Sequence, residues 1–355
     1  MRYIGNKTRL LSFIGDVLER RGIAAGSAVD PFTGTASVAR DLKRRGFRVV
    51  ASDVMEYAYV FARAYVEVAR LPAAPGLARE IGARTASLAA IVRHLHRLPP
   101  RPGFITEHYT PAGTEGAVHG RMYFTPENGA RIDTIRTTLE SWRNAALLPE
   151  DTFFVLLATL IEAADRVANT TGVYAAFVKS WQPNAVRPLQ LRPPVMVASN
   201  GCRAARGDAL DVVLGLEPFD LLYLDPPYNT RQYPGYYHIP ELIATGWFNG
   251  EVVTRGKTGL VDDVDKRSDW SRSRHCEAAF ERLVASAQWR RLVMSYNAEG
   301  IIAESTIERV LKSCGRRATY ERYPLAYRRY RSDADGENRR YRGDETTEYL
   351  YCVDR

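Results

Sequence analysis

The stretch Ser27-Ala-Val-Asp-Pro-Phe-Thr-Gly-Thr-Ala-Ser37, continued after a short polar segment by Arg48-Val-Val-Ala-Ser-Asp53, decides the fold. A short strand ends in a carboxylate, Asp30, and runs into a loop of small side chains around Gly34. Residues 37–45 have helical character, with Ser37 placed to cap them, and Gly46 breaks that helix before a second strand over 48–52 that ends at Asp53. An aromatic-rich helix over about 57–70 follows. Strand, helix, strand, helix is the signature of a parallel sheet in an α/β fold. The rhythm returns later, with strands expected over 195–199, 202–206, 219–224, 292–296 and 349–353. The fold class is therefore α/β, a mostly parallel sheet with helices on both faces.

Outward from this core the pattern changes. Leu10, Leu11, Ile14, Val17 and Leu18 space an amphipathic helix over 7–21. After the linker Leu71-Pro-Ala-Ala-Pro75 the strand signals stop. A helical stretch near 76–97 and a Pro/Gly-rich loop over 98–120 come next, then a helix opened by Thr125-Pro126, an N-cap followed by proline at the first helical position. This predicts a mainly helical insert over 71–150, with 1–70 and 151–355 as the main domain and the helix over 153–167 returning to its core.

Composition bounds the function. Forty-five per cent of the residues are hydrophobic, enough for a large core in a chain of 355. No apolar run approaches the roughly 18 residues of a membrane span, and the N-terminus lacks a signal-peptide pattern, so a soluble, cytoplasmic protein is expected. Cys202, Cys276, Cys314 and Cys352 form no CxxC pair, and His94-x-His96 is a helix-face spacing, so no metal is expected. The net charge of +8 suits a polyanionic partner. Arginine and tyrosine interleave at Arg316-Arg317, Arg322-Tyr323, 327–331 and 339–342, as a phosphate backbone with adjacent bases would require, although a solvated strand face has the same look.

Asp30, Asp53 and Asp225 stand at the C-terminal ends of three expected parallel strands, where open α/β sheets bind their ligands. Asp53 follows Asp30 by 23 residues (53 − 30), the offset at which an acidic side chain meets a ribose. The loop between them lacks both the dinucleotide glycine pattern and the phosphate-cradling one. A nucleoside ligand without phosphates fits better, and S-adenosylmethionine is the common one. The apolar strand Phe219–Leu224 stops at Asp225-Pro-Pro-Tyr228, a corner that can continue neither strand nor helix. Such a corner suits an exocyclic amine. Asp225 and the Pro226 carbonyl can accept its two N–H protons, free the nitrogen lone pair and hold it in line, a placement worth roughly 7–11 kcal/mol. Tyr228 offers a stacking face worth about 1–3 kcal/mol.

Asp225-Pro-Pro-Tyr228 after a hydrophobic strand resembles the catalytic motif of amino-group DNA methyltransferases. The order Tyr3-Ile-Gly-Asn-Lys7, Asp30-Pro-Phe-Thr-Gly34, insert, then Asp225-Pro-Pro-Tyr228 resembles the Dam-like class of S-adenosylmethionine-dependent DNA adenine-N6 methyltransferases over most of the chain. The resemblance implies a Rossmann-like class I methyltransferase domain with a helical recognition insert. It implies cofactor contacts from Tyr3, Lys7, Asp30, Phe32, Gly34, Asp53, Asp208 and Asp225, and catalysis by Asp225, Pro226 and Tyr228. Asn169 to Tyr174, with Arg166, Lys179 and Trp181, resembles the family's DNA-approach segment, which extends the recognition region to about 190. Arg231 and Tyr233 lie in a polar, aromatic loop that could close over a flipped base. The family loop F-x-G-x-G reads Phe32-Thr-Gly-Thr-Ala36 here. Alanine fits at that position if its φ is negative.

The reading is methyl transfer to adenine N6 of double-stranded DNA by direct displacement after base flipping. The enzyme is expected to act as a monomer, with a restriction endonuclease as a possible cognate partner. The same chemistry on RNA adenine or on cytosine N4 is the nearest alternative, and Asp at 225 favours adenine. A catalytically silent DNA-binding regulator would have lost Asp53, Asp225 or Tyr228, and a nicotinamide oxidoreductase would need two more glycines in the loop.

Overall fold

The computed structural model describes residues 1–198, 201–261, 266–328 and 345–355. Its strands are β1 (Ser27–Asp30), β2 (Arg48–Asp53), β3 (Arg203–Arg206), β4 (Phe219–Leu224), β5 (Thr254–Arg255), β6 (Leu260–Val261), β7 (Trp289–Asn297), β8 (Glu321–Arg328) and β9 (Glu345–Asp354). The chain divides into two compact units.

One unit comprises Asn6–Ala62, Ser199–Gln232 and Asp265–Arg355, and it carries the seven-stranded sheet in the order β3-β2-β1-β4-β7-β9-β8. The neighbours from β3 to β7 are parallel, while β9 runs antiparallel to both β7 and β8. β1 and β4 read as apolar because they are buried on both faces, the usual condition of inner parallel strands. One helical layer packs Val213, Phe280, Leu283, Ile307 and Leu311 against Leu222, Leu224, Leu292 and Met294. The helices Ser37–Arg44 and Glu56–Ala62 pack on β2. β1 lies between β2 and β4, where the strand order reverses, the position at which open α/β sheets bind their ligands.

Asp220, the charge inside the apolar strand, has a local cause. Its carboxylate accepts from the Ser27 amide and hydroxyl, both at 2.9 Å, and locks the start of β1 to β4. Gly26 makes room for it, since a Cβ at that position would lie 2.5 Å from the carboxylate.

The other unit comprises Met1–Gly5, Arg63–Ala198 and Tyr233–Val264. It contains the helices Pro75–Glu80, Leu88–Arg97, Phe104–Tyr109, Pro126–Asn144, Glu150–Val167 and His238–Thr245, and the β5–β6 hairpin. Thr125 caps its helix as expected, accepting from the Asn128 amide at 3.2 Å. Asp133 receives the amides of Gly103, Ile105 and Thr106 at 2.8–2.9 Å and so fixes the start of the Phe104–Tyr109 helix. Arg136 is buried, bonded to the Ile243 carbonyl at 2.8 Å and to Glu140 at 2.7 Å, with its guanidinium 4.9 Å from the Phe248 ring.

Several expectations are corrected. The helix over 76–97 is two helices, parted at Gly82, whose φ is +63°. The loop over 98–120 contains the helix Phe104–Tyr109. The aromatic helix ends in a π-helical turn, Arg63–Glu67. Residues 195–198 are not a strand, and Ser199 lies outside the described residues. The helix Glu150–Val167 belongs to the helical unit and not to the sheet core. β8 was not expected: it is an edge strand that opens with Glu321-Arg322 and continues Tyr323-Pro-Leu-Ala326.

Candidate active site

The parallel strands carry three carboxylates to one edge of the sheet. Asp30 closes β1, Asp53 closes β2, and Asp225 follows the last residue of β4. Burial raises the Asp30 carboxyl to about 8, with the Asp225 and Asp53 charges adding to the shift. Burial raises Asp53 to about 6 against the opposing pull of the Met55, Gly34 and Val54 amides. Asp225 stands at about 7, raised by burial, lowered by Lys7 and raised again by Glu348, although its side chain keeps 17% exposure. Acidic groups this reluctant to ionise form a place where a cation is favoured over water.

The loop after β1 is drawn against β2. Thr33 donates its amide to the Ser52 carbonyl at 2.9 Å, and Gly34 donates to Asp53 Oδ2 at 3.0 Å, while the Met55 amide takes Oδ1 at 3.0 Å. Asp53 thus ties the loop down before any ligand arrives. Gly34 and Ala36 both have positive φ, +49° and +57°. The condition placed on Ala36 is therefore overturned: an alanine stands in the left-handed region. The cause is the turn itself, in which the Ala36 amide reaches the Thr33 carbonyl at 2.7 Å while its carbonyl receives the Arg40 amide at 2.9 Å. Ala36, not Ser37, is the N-cap. Phe32 packs edge-on to Trp270 with ring centroids 4.7 Å apart.

Beside the corner, Lys7 sits buried in a short 3-10 turn whose N-cap is Asn6. Its ammonium lies 3.2 Å from Asp225 Oδ1, pairs closely with Glu348 and stands 5.8 Å from the Tyr228 ring centroid. Burial opposes the charge on Lys7, but Asp225 and Glu348 more than reverse this and lift its pKa above the ordinary lysine value. Glu348 also accepts from the Ser295 hydroxyl at 3.0 Å and the Asn297 amide at 3.2 Å. Sequence reading missed Glu348, yet it left a signal. Glu348 shares the strand phase of Leu350 and Cys352, both buried, so a carboxylate occupies a core-facing position.

The other expected residues fall into distinct places. Asp208 is exposed and caps the helix Ala209–Leu214 by accepting from the Leu210 amide at 2.9 Å. Tyr3 stacks on Tyr237 at 4.7 Å and lies 5.6 Å from Tyr233, so an expected cofactor contact and an expected DNA contact form one aromatic stack in the helical unit. Arg166 donates to the Gln190 carbonyl at 3.1 Å and faces Glu162 at 3.8 Å. Asn169 is fully buried, donating to the Val178 carbonyl at 2.8 Å and accepting from the Gln182 amide at 3.0 Å, and so it shapes its loop from within. Lys179 and Arg231 are exposed. A tie that sequence reading did not find joins the loop after the corner to the next segment. The Gln232 side chain donates to the Ser268 carbonyl at 3.1 Å and accepts the Ser268 amide at 2.9 Å.

A parallel sheet with carboxylates at a strand-order reversal and a lysine-braced Asp-Pro-Pro-Tyr corner is the frame of an amino-group methyltransferase. The chain belongs to the D12 class N6 adenine-specific DNA methyltransferase family, whose model matches residues 3–290. It is 34% identical to the Type II methyltransferase M.NlaIII of Neisseria lactamica over 100% of this chain and 99% of that one. Identity is also 34% to the Type II methyltransferase M.FokI of Planomicrobium okeanokoites, over 99% of this chain and 52% of that protein's length. It is 27% to the Type II methyltransferase M.CviAII of Paramecium bursaria Chlorella virus 1, over 99% and 97%. No helix among the described residues is long and apolar enough to cross a membrane.

Proposed function

We propose that this DNA adenine methyltransferase modifies adenine N6 in double-stranded DNA, with Asp225 and the Pro226 carbonyl as the two acceptors of the target amine. The methyl donor of the family is S-adenosylmethionine. When bound it supplies an electrophilic methyl group on a sulfonium centre. The donor set at the strand ends fits it: Asp30, Asp53 and Asp225 favour a cation, and the Gly34 loop lets backbone approach closely without a phosphate cradle. Lys7, Asp30, Phe32, Gly34 and Asp53 would hold it.

The observation that carries the reading is the Lys7–Asp225 ion pair at the proline corner. The corner keeps the carboxylate from turning away, and Lys7 holds one of its oxygens while the group keeps partial exposure toward a substrate. A carboxyl group near neutrality accepts a hydrogen bond from the N6 amine and can take the proton that the methylated nitrogen sheds. Tyr228 supplies the stacking face that offsets the few kcal/mol of drawing the base from the duplex. Lys179 and Arg231 are the exposed cations proposed to meet the phosphates. The names of the relatives support a role as the modification arm of a restriction system. The enzyme would then act as a monomer in the cytoplasm, beside a cognate endonuclease.

The test is Asp225→Ala in a host lacking adenine methylation, with modified bases mapped genome-wide. Wild type is expected to place N6-methyladenine in one motif, and the variant to place none while keeping its melting temperature. Cytosine N4 methylation, or activity retained in the variant, would overturn the assignment.

A further inference from the structure

We infer that Glu348 is a positioning residue for methyl transfer, dividing the Lys7 ammonium between two carboxylates so that Asp225 remains a competent acceptor. The inference rests on the reading of Asp225 as the acceptor of the target amine.

Glu348 lies on β9, beyond the residues matched by the family model. It is paired in register with Asn297 of β7. The geometry has three parts. One Glu348 oxygen takes both the Lys7 ammonium and the Ser295 hydroxyl. The other takes the Asn297 amide, whose own oxygen is occupied by the Thr346 hydroxyl at 3.2 Å and the Glu299 amide at 3.0 Å. Asn297 therefore cannot turn its amide over without loss, and Glu348 is held as a charge acceptor with one orientation. Lys7 thus meets two carboxylates, and of the two Asp225 is the more exposed, at 17% against 5%.

The chemical consequence follows from competition. A lysine bonded to Asp225 alone would draw more strongly on its charge, and the carboxylate would accept more weakly from an incoming amine. With Glu348 carrying part of that ammonium, Asp225 keeps acceptor strength. A purely structural salt bridge would not need a second carboxylate, since two buried acids around one lysine leave a net negative charge that is costly to keep from water. Such a cost is retained where it tunes a reacting group.

The groups facing Asp225 are Lys7 from the N-terminal turn, Asp30 from β1, Tyr223 from β4, Tyr296 from β7 and Glu348 from β9. Removing the Glu348 charge removes a repulsion and frees Lys7 to close on Asp225, and both changes favour the ionised carboxylate. In Glu348→Gln, which is nearly isosteric, the acid limb of the kcat pH profile is expected to move down by about one pH unit, one unit being a tenfold change in the ionisation constant. At neutral pH kcat should fall about tenfold, the loss expected when one acceptor interaction weakens in the transition state only, with the KM for DNA unchanged.

Glu348→Asp keeps the charge but withdraws it by one methylene, and should move the limb part of the way in the same direction. A folded Gln variant with the wild-type limb and kcat would overturn the inference. Should the Gln variant fail to fold, an unmoved limb in the Asp variant overturns it equally. Asp225→Ala separates the two readings: activity retained there removes the acceptor assignment itself, whereas an inactive Asp225→Ala beside an unmoved limb in the Glu348 variants removes only the role of Glu348.

Discussion

Ala36 holds a side chain where the backbone asks for none. An L-residue in the left-handed region brings Cβ close to the following carbonyl, at a cost of about 1–2 kcal/mol, and Ala36 sits there at φ +57° and fully buried. The strain is tolerated because two hydrogen bonds, to Thr33 and from Arg40, require that conformation. Ala36→Gly relieves the clash but loosens the unfolded chain, and should leave stability within about 1 kcal/mol of wild type, on the favourable side. Ala36→Val adds a β-branch at positive φ in a filled site, and should cost more than about 2 kcal/mol together with donor affinity. Urea midpoints at unchanged m-value decide this, and a Val variant as stable as wild type would refute the strained turn. The position was legible in the sequence but its φ was not, because a negative φ is the ordinary one for alanine and the left-handed turn shows only in the loop's bonds to Ser52 and Asp53.

At the scale of elements, the strand ends set a pH dependence. Asp30 at about 8, Asp225 at about 7 and Asp53 at about 6 all stand above the unfolded carboxyl value of 3.8. A raised acid holds its proton in the folded state after the unfolded chain has released it. Its stabilisation is therefore complete below the unfolded pKa and is lost as pH rises through the folded one. His96, His108 and His238 are lowered from 6.5, mainly by burial, so their opposing contribution ends near that value. Lys7, raised above 10.5, acts only in more alkaline solution. Between about pH 6.5 and about pH 8.5 the melting temperature of the donor-free protein should therefore fall. The cationic donor prefers the ionised carboxylates, so its stabilising increment should grow over the same range, and that of uncharged S-adenosylhomocysteine should grow less. A flat melting temperature, or an increment that shrinks, would contradict the cluster. These strands were legible in the sequence because inner parallel strands are mostly apolar and end in charges. β8 was not, because an outermost strand carries Glu321, Arg322 and Tyr323 in a pattern that a solvated loop shares. Glu348 was obscured for a related reason: its strand signal lay in the apolar run after it, and its partners come from the N-terminus and from β7.

Over the whole molecule, a net charge of +8 describes the amount of positive charge and not its availability. Arg322, one of the interleaved arginines, pairs with Glu304 and covers the Tyr349 ring at 4.8 Å. Arg316 lies 3.7 Å from Asp354. Arg317 is exposed, and the interleaved positions over 329–331 and 339–342 lie outside the described residues. Arg316 and Arg322 are thus engaged within the protein, and the exposed Lys179 is proposed as the phosphate contact. Each phosphate neutralised releases counterions, so the logarithm of DNA affinity should fall linearly with the logarithm of salt concentration. Lys179→Ala is expected to weaken binding about equally for all sequences and to reduce the magnitude of that slope by about one. Arg322→Ala should leave the slope unchanged and instead lower the melting temperature, since it strips a cation from the Tyr349 face and leaves Glu304 unpaired. The two variants make opposite claims on the same titration: a slope reduced by Arg322→Ala and untouched by Lys179→Ala would move the DNA contact to the C-terminal strands.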